Sequence, residues 1–189
     1  KPETVDKDTL FQVASNTKGM STLLLAQMVD DGRVGWDQAV VEVYPQFRLG
    51  NDETTQKVLI RHLVCACTGL PRKDSEWLFI TPRELPASAT FDLLADTLPT
   101  SEFGDLYQYN NLMAAAAGYI AGHLAYPELE IGAAFDRAMQ VRLFDPLGMD
   151  RTSFKIPTTL AENFASPHDF GLSTTPQLAA MDPNYSVVP

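Results

Sequence analysis

The sequence predicts a mainly helical chain with little β-sheet. Three observations carry this. Apolar residues recur at helical spacing over Met20–Val29 and Ile131–Leu143, and a run of small residues, Ala114 to Gly118, sits inside a third apolar helix. Few segments alternate apolar and polar residues convincingly enough to pair as strands.

In chain order, Lys1 to Thr9 reads as a polar entry and Leu10 to Val13 as a short strand. From Ser15 the pattern switches to helix, with Met20, Leu23, Leu24, Leu25, Met28 and Val29 on a wide apolar face and Gly32 as its stop. A shorter helix restarts at Gly35-Trp36-Asp37 and closes at Tyr44-Pro45. Asn51 to Thr55 reads as a polar loop leading into a short helix over Lys57 to Val64. Trp77 to Pro86, broken by Pro82 and Pro86, is expected to be a surface excursion. Phe91 to Leu98 fits a short helix ended by Pro99, and Gly104 marks a turn before the apolar helix that starts near Leu112. The helix over Ile131 to Leu143 ends at Asp145-Pro146-Leu147-Gly148. The expected division is a helical portion, residues 1–156, followed by an irregular tail, 157–189, rich in Pro, Ser, Thr and Asn.

The 189 residues suffice for one sizeable core, and 45% hydrophobic content is that of an ordinary globular protein. A net charge of −10 argues against nucleic acid or an anionic membrane surface as partner, since both repel an acidic chain. No apolar run approaches the roughly 18 residues that a membrane span needs. The absence of an initiator Met and of a signal-like start leads us to expect a mature, trimmed or partial product. Cys65 and Cys67 are expected to be packing thiols, because a disulfide across one intervening residue would be strained and two thiols alone make a poor zinc site.

Chemistry concentrates in two clusters. In the first, Ser15 lies at the start of a helix, where free backbone N–H groups and the helix dipole stabilise negative charge. Lys18, three residues on, rises from the same face and can reach the Ser15 oxygen. A serine hydroxyl is a weak nucleophile that needs such a base. The plain structural alternative is a capping serine followed by a solvated lysine. The second cluster is Tyr109-Asn110-Asn111, directly before the small-residue helix. A phenol at Tyr109 can relay protons, and the Asn111 carboxamide can donate with one end and accept with the other. Here the structural alternatives are an amphipathic core tyrosine and an N-capping Asn111. His62 and His123 read as core or surface histidines, whereas His168, in the tail, could approach a cleft as a general base.

These two clusters, in this order, resemble the serine β-lactamase and penicillin-recognising enzyme superfamily, in particular its branch of class C β-lactamases, D-alanyl-D-alanine carboxypeptidases and related esterases. Ser15-Asn16-Thr17-Lys18 matches its Ser-x-x-Lys and Tyr109-Asn110-Asn111 its Tyr-x-Asn. Phe11 to Ala14, Asp31 to Val34, Thr68 to Pro71 and Asp145 to Met149 resemble the flanking text, so the similarity covers about Thr9 to Phe154. The resemblance implies an α+β fold, the β-lactamase/DD-peptidase fold, of which this chain is the helical half with little of the antiparallel sheet. It implies a serine hydrolase acting on a small-molecule or peptide substrate, an amide or ester, through an acyl-enzyme. Ser15 would be acylated, Lys18 and Tyr109 would share the proton transfer, and Asn111 would orient the acyl side of the substrate. No metal or organic cofactor is implied, and a periplasmic or secreted location is suggested by the resemblance alone.

Two departures matter. The superfamily carries a third motif, Lys-Thr-Gly or His-x-Gly, on an edge strand, and nothing after Tyr109 matches it: His168-Asp169-Phe170 lacks the glycine. Strands upstream of the serine are also missing. The expectation is therefore a piece of a longer protein, with a second chain or a further segment supplying the sheet and the third motif. The alternatives are a non-catalytic helical binding or scaffolding relative, or a fragment inactive by itself.

Overall fold

The computed structural model describes residues 4–75, 85–154, 163–172 and 174–178. It is mainly helical with one small antiparallel sheet: α1 (Asn16–Asp30), α2 (Val40–Val43), α3 (Asp52–Lys57), a 3-10 turn (Ile60–Leu63), α4 (Ala89–Ala95), α5 (Asn111–Ala125), α6 (Ile131–Met139), a π turn (Gln140–Phe144), β1 (His168–Asp169) and β2 (Gln177–Leu178). The strands pair antiparallel, His168 opposite Leu178 and Asp169 opposite Gln177.

The buried element at the centre is α5. Its residues Leu112, Met113 and Ala115 through Gly122 are all buried, and the chain around it supplies Leu24, Leu25 and Met28 of α1 and Phe135, Ala138 and Met139 of α6. Each fully buried Leu, Met or Phe contributes about 1.5–3 kcal/mol by leaving water. The small residues set the packing distance. A Cβ on Gly118 would lie 2.7 Å from Phe135 Cε2 and 3.0 Å from Ser21 Oγ, and one on Gly122 would lie 2.6 Å from the Phe135 backbone. A side chain at either glycine would therefore push α1 or α6 away.

The stop of α1 follows the glycine rule. Gly32 has φ +69°, its N–H bonds Val29 O, and Arg33 N–H reaches back to Met28 O at 2.9 Å. Asn110 caps α5, its side-chain oxygen accepting from Met113 N–H at 2.9 Å.

Several expected elements differ. The strand over Leu10 to Val13 reduces to a single parallel bridge, Leu10 to Phe164, because Ala14 turns at φ +44° and carries the chain into α1. The helix expected from Gly35 is confined to Val40–Val43: Ala39 and Leu59 bridge as extended chain, with Val40 N–H on Val58 O and Ile60 N–H on Gln38 O. That same bridge breaks the helix expected over Lys57 to Val64, leaving the 3-10 turn. The polar loop at Asn51 to Thr55 is instead the start of α3, capped by Asn51, whose side-chain oxygen accepts Thr54 N–H at 2.7 Å. Asp52 and Glu53 then stand in its first turn, where the helix dipole favours them.

Cys65 and Cys67 form a disulfide, contrary to expectation. Ala66 adopts φ +53° between them, which brings the two Cα atoms to 5.2 Å, an ordinary disulfide separation. The expected excursion over Trp77 to Pro86 lies outside the described residues except for Leu85 and Pro86, as does much of the 157–189 tail. Among the described residues no helix is long and apolar enough to cross a membrane.

Candidate active site

Ser15 stands at the N-cap of α1, on a tightly tied turn. Asn16 and Thr17 N–H groups bond Val13 and Ala14 carbonyls at 3.1 and 3.0 Å, and the Asn16 side chain donates to Val13 O at 2.8 Å. The residue before Ser15, Ala14, is held in the left-handed region, a backbone strain that cages sites more often than it packs cores. Ser15 does not cap the helix with its side chain. Its Oγ instead accepts from Lys18 Nζ at 3.1 Å and lies 2.7 Å from the Tyr109 hydroxyl. Ser15 thus makes no side-chain cap, and Lys18, half-buried, directs its amine at the Ser15 oxygen. The Ser15 N–H stands at the positive, N-terminal end of α1.

Tyr109 reaches Ser15 because its neighbours are pinned on both sides. Gln108 N–H bonds Ala66 O at 2.8 Å, and its side chain bridges Thr100 Oγ1 and Ser101 Oγ at 2.9 and 2.8 Å. On the other side Asn110 donates to Pro71 O at 2.9 Å while capping α5. Gly69, at φ +79°, lets the Thr68–Pro71 strap pass so close to Ser101 that a Cβ there would sit 2.4 Å from its carbonyl oxygen.

Burial alone would raise the Tyr109 phenol, but hydrogen bonds from Lys18 and Ser15 and the positive charges of Lys18 and Arg72 outweigh it and hold its pKa below the ordinary 10. The two cations lie over the ring, Lys18 Nζ 4.9 Å and the Arg72 guanidinium carbon 5.0 Å from its centroid. A phenol so placed ionises more readily and can exchange a proton with Ser15.

Asn111 is half-buried and leaves the capping role to Asn110. Its amide nitrogen donates to Asp74 Oδ1 at 2.7 Å, and the other oxygen of Asp74 pairs with Arg72. Arg72 and Asp74 were not marked by sequence reasoning. Their only signal was a charged triplet, Arg72-Lys73-Asp74, following the Gly69-Leu70-Pro71 turn.

The histidines take no part in the Ser15–Lys18–Tyr109 contact. His62 accepts Leu59 N–H at Nδ1 (3.1 Å) and meets Phe103 edge-on at 4.9 Å. His123 stacks edge-on with Tyr44 at 5.6 Å, and His168 is exposed in β1. Among the described residues no cluster of three or more His, Cys, Asp or Glu side chains could hold a metal ion.

Comparison with known proteins agrees with the fold. The Beta-lactamase family model matches residues 1–187. Protein flp of Staphylococcus aureus is 23% identical over 162 residues, 85% of this chain and 30% of its own length. Penicillin-binding protein 4 of Amycolatopsis lactamdurans is 28% identical over 176 residues, covering 93% of this chain and 44% of its own length. A class C beta-lactamase solved in complex with cefoxitin superposes with a TM-score of 0.71 over 98% of this chain and 48% of its own, at 20% identity. The chain thus spans less than half the length of these relatives. Its helices and small antiparallel sheet agree with the α+β fold of these proteins.

Proposed function

The chain belongs to the beta-lactamase family, and from that premise we propose that it carries the nucleophile of a serine hydrolase, one that cleaves an amide or ester through an acyl-enzyme. Family and fold support a serine-hydrolase type of mechanism at the level of the superfamily. The observation that carries the finer reading is the three-way contact of the Ser15 hydroxyl with Lys18 at 3.1 Å and Tyr109 at 2.7 Å.

In this reading Ser15 Oγ attacks the carbonyl carbon, forming an O–C bond, while its proton passes to the Lys18–Tyr109 pair. The Ser15 N–H stabilises the developing oxyanion, an effect worth about 10²–10³ in rate for one donor. The C–N or C–O bond of the leaving group then breaks, and the same pair returns the proton to the departing amine or alcohol. Water repeats the sequence on the acyl-enzyme and frees Ser15. Asn111 holds the acyl side. Proton transfer by a positioned group contributes about 10²–10⁴.

In this reading residues 1–156 are the portion that bears this machinery. The second oxyanion donor and the third motif come from a further segment or a second chain. This accords with the greater length of the relatives.

The test is covalent labelling of the protein with a fluorophosphonate and with a fluorescent penicillin, followed by mass spectrometry. Labelling at Ser15 that disappears in Ser15→Ala is expected. No labelling of the folded full-length protein would favour a non-catalytic binding or scaffolding relative, whereas labelling of the full-length protein but not of residues 1–189 alone would mark the latter as a fragment inactive by itself.

A further inference from the structure

The Arg72 guanidinium carbon stands 5.0 Å from the centre of the Tyr109 ring, yet the Arg72 side chain is 64% exposed. At an exposed site the attraction of a cation for a ring face is weak, and a long side chain left to itself swings through solvent. The hold on Arg72 comes from the chain around it. Pro71 O accepts from the Asn110 side chain at 2.9 Å and Asp74 Oδ1 from the Asn111 side chain at 2.7 Å, so the two residues that follow Tyr109 tie down the chain on both sides of Arg72. Asp74, with 15% of its side chain exposed, accepts the Arg72 Nε–H on its other oxygen. A shielded carboxylate thus turns a mobile cation into a fixed one.

Two cations act on the Tyr109 phenol: Lys18 from α1, and Arg72 with Asp74 behind it. They are not equivalent. In the serine-hydrolase reading, on which this inference rests, Lys18 shares the proton transfer and its charge comes and goes, whereas a guanidinium keeps its proton at every step. We propose that Asp74 is a positioning residue that parks Arg72 over the Tyr109 ring, and that Arg72 so held is the permanent counter-charge of the phenolate while Lys18 exchanges protons. The sign of the effect distinguishes this role from direct electrostatics. A carboxylate acting directly on a phenol opposes its ionisation, so removing the carboxylate charge would ease it. A carboxylate that acts by holding a cation favours ionisation, so removing it hinders.

The experiment follows the pH titration of the Tyr109 ring by NMR in the full-length protein labelled with carbon-13 at tyrosine Cζ, the resonance being assigned by its loss in Tyr109→Phe. The titration midpoint is expected to rise in Asp74→Asn, and Ser15 labelling by a fluorophosphonate near neutral pH to slow about tenfold, the low end of what a neighbouring opposite charge does to an ionisation. Arg72→Ala, which leaves the Asp74–Asn111 bond in place, raises the midpoint too. The double variant Arg72→Ala/Asp74→Asn titrates at or below Arg72→Ala, because without the guanidinium the carboxylate has nothing to hold. A midpoint that stays or falls in folded Asp74→Asn overturns the proposal, as does an unmoved midpoint in Arg72→Ala or a double variant above it. A raised midpoint with an unchanged labelling rate overturns the role in turnover. The wild type separates the two levels: labelling of Ser15 with no midpoint change in the variants removes only the role of Asp74 and Arg72, whereas no labelling of the folded wild type removes the serine-hydrolase reading, whatever the ring titration shows.

Discussion

The hydroxyls of Ser15 and Tyr109 lie 2.7 Å apart across 94 residues of sequence. Neither side chain reaches the other by local geometry. Ser15 is delivered by the strained turn at Ala14 into α1, and Tyr109 by a loop held at Gln108 and Asn110. The two supports meet because α1 packs on α5, where Ser21 Oγ lies against Gly118. The helical pair is thus the scaffold of the site, and loss of its close packing should appear as loss of the contact.

Tyr109→Phe removes the phenol and keeps the ring. We expect acylation to fall by about 10²–10⁴, the range for a lost proton-transfer group. The pH profile gives a sharper test. In the proposed reading the phenol shares the proton transfer with Lys18, and Lys18 and Arg72 hold its pKa below 10, so where the ionised phenol takes the Ser15 proton the acylation rate should rise with pH and level off above an apparent pKa lower than 10. Arg72→Ala removes one of the cations and should move that limb upward, lowering the rate near neutral pH. An unmoved limb would show that Arg72 does not act on Tyr109.

The residues of the two clusters were legible because each is short, local and followed by a helix whose apolar spacing announces it. Ser15 and Lys18 share one helical face by spacing alone. What was not legible depended on backbone conformations or distant partners. The disulfide required positive φ at Ala66, which no composition rule foretells. Asp74 becomes visible only when the chain returns 37 residues later with Asn111. In the fold, α3 was missed although Asn51-Asp52-Glu53 is a good helix start, because no apolar periodicity follows it. The short helix expected over Lys57 to Val64 ignored a non-local competitor, the Ala39–Leu59 bridge, which fixed Val58 and Leu59 as extended chain.

Gly122→Ala tests the close approach of α5 and α6. Its new Cβ would meet Phe135 N and Cα at 2.6 Å, and backbone cannot yield as a side-chain tip can. We expect a loss of about 1–3 kcal/mol, the usual range for overpacking, or more. Gly19→Ala, with nothing within 4 Å of the new Cβ, should be neutral or slightly stabilising. Urea unfolding of the two variants side by side checks the contrast, and equal midpoints would refute it.

His62 gives the fold an acid-sensitive point. Burial, with a smaller contribution from Arg61, lowers its pKa below the ordinary 6.5. Its Nδ1 lone pair accepts Leu59 N–H, a bond that protonation removes. The unfolded state therefore binds more protons than the folded one just below pH 6.5, so this contribution to stability is complete above that pH and is lost as pH falls through the folded value. The melting temperature of the wild type should drop between pH 7.5 and pH 5 by more than that of His62→Gln. Parallel curves for the two proteins would rule His62 out as the cause.

The Cys65–Cys67 disulfide should matter more to the site than to the fold. It closes a ring around one residue, and chain-entropy arguments give so short a loop only roughly 1–2 kcal/mol. Yet Ala66 O accepts Gln108 N–H and Cys67 O accepts Gly104 N–H, both at 2.8 Å, so the ring grips the loop that presents Tyr109. Reduction by a dithiol, which is itself oxidised as two thiols form, frees Ala66 to leave its φ of +53° and loosens that grip. Displacing a reacting group by about 1 Å can cost on the order of 10²-fold in rate. We expect Ser15 labelling to slow at least tenfold on reduction while the melting temperature falls by only a few degrees, and reoxidation to restore the rate. The double variant Cys65→Ala/Cys67→Ala should label slowly whether or not a reductant is present. Equal labelling of the oxidised and reduced wild type would mean that Gln108 and Asn110 alone are enough to hold Tyr109 against Ser15.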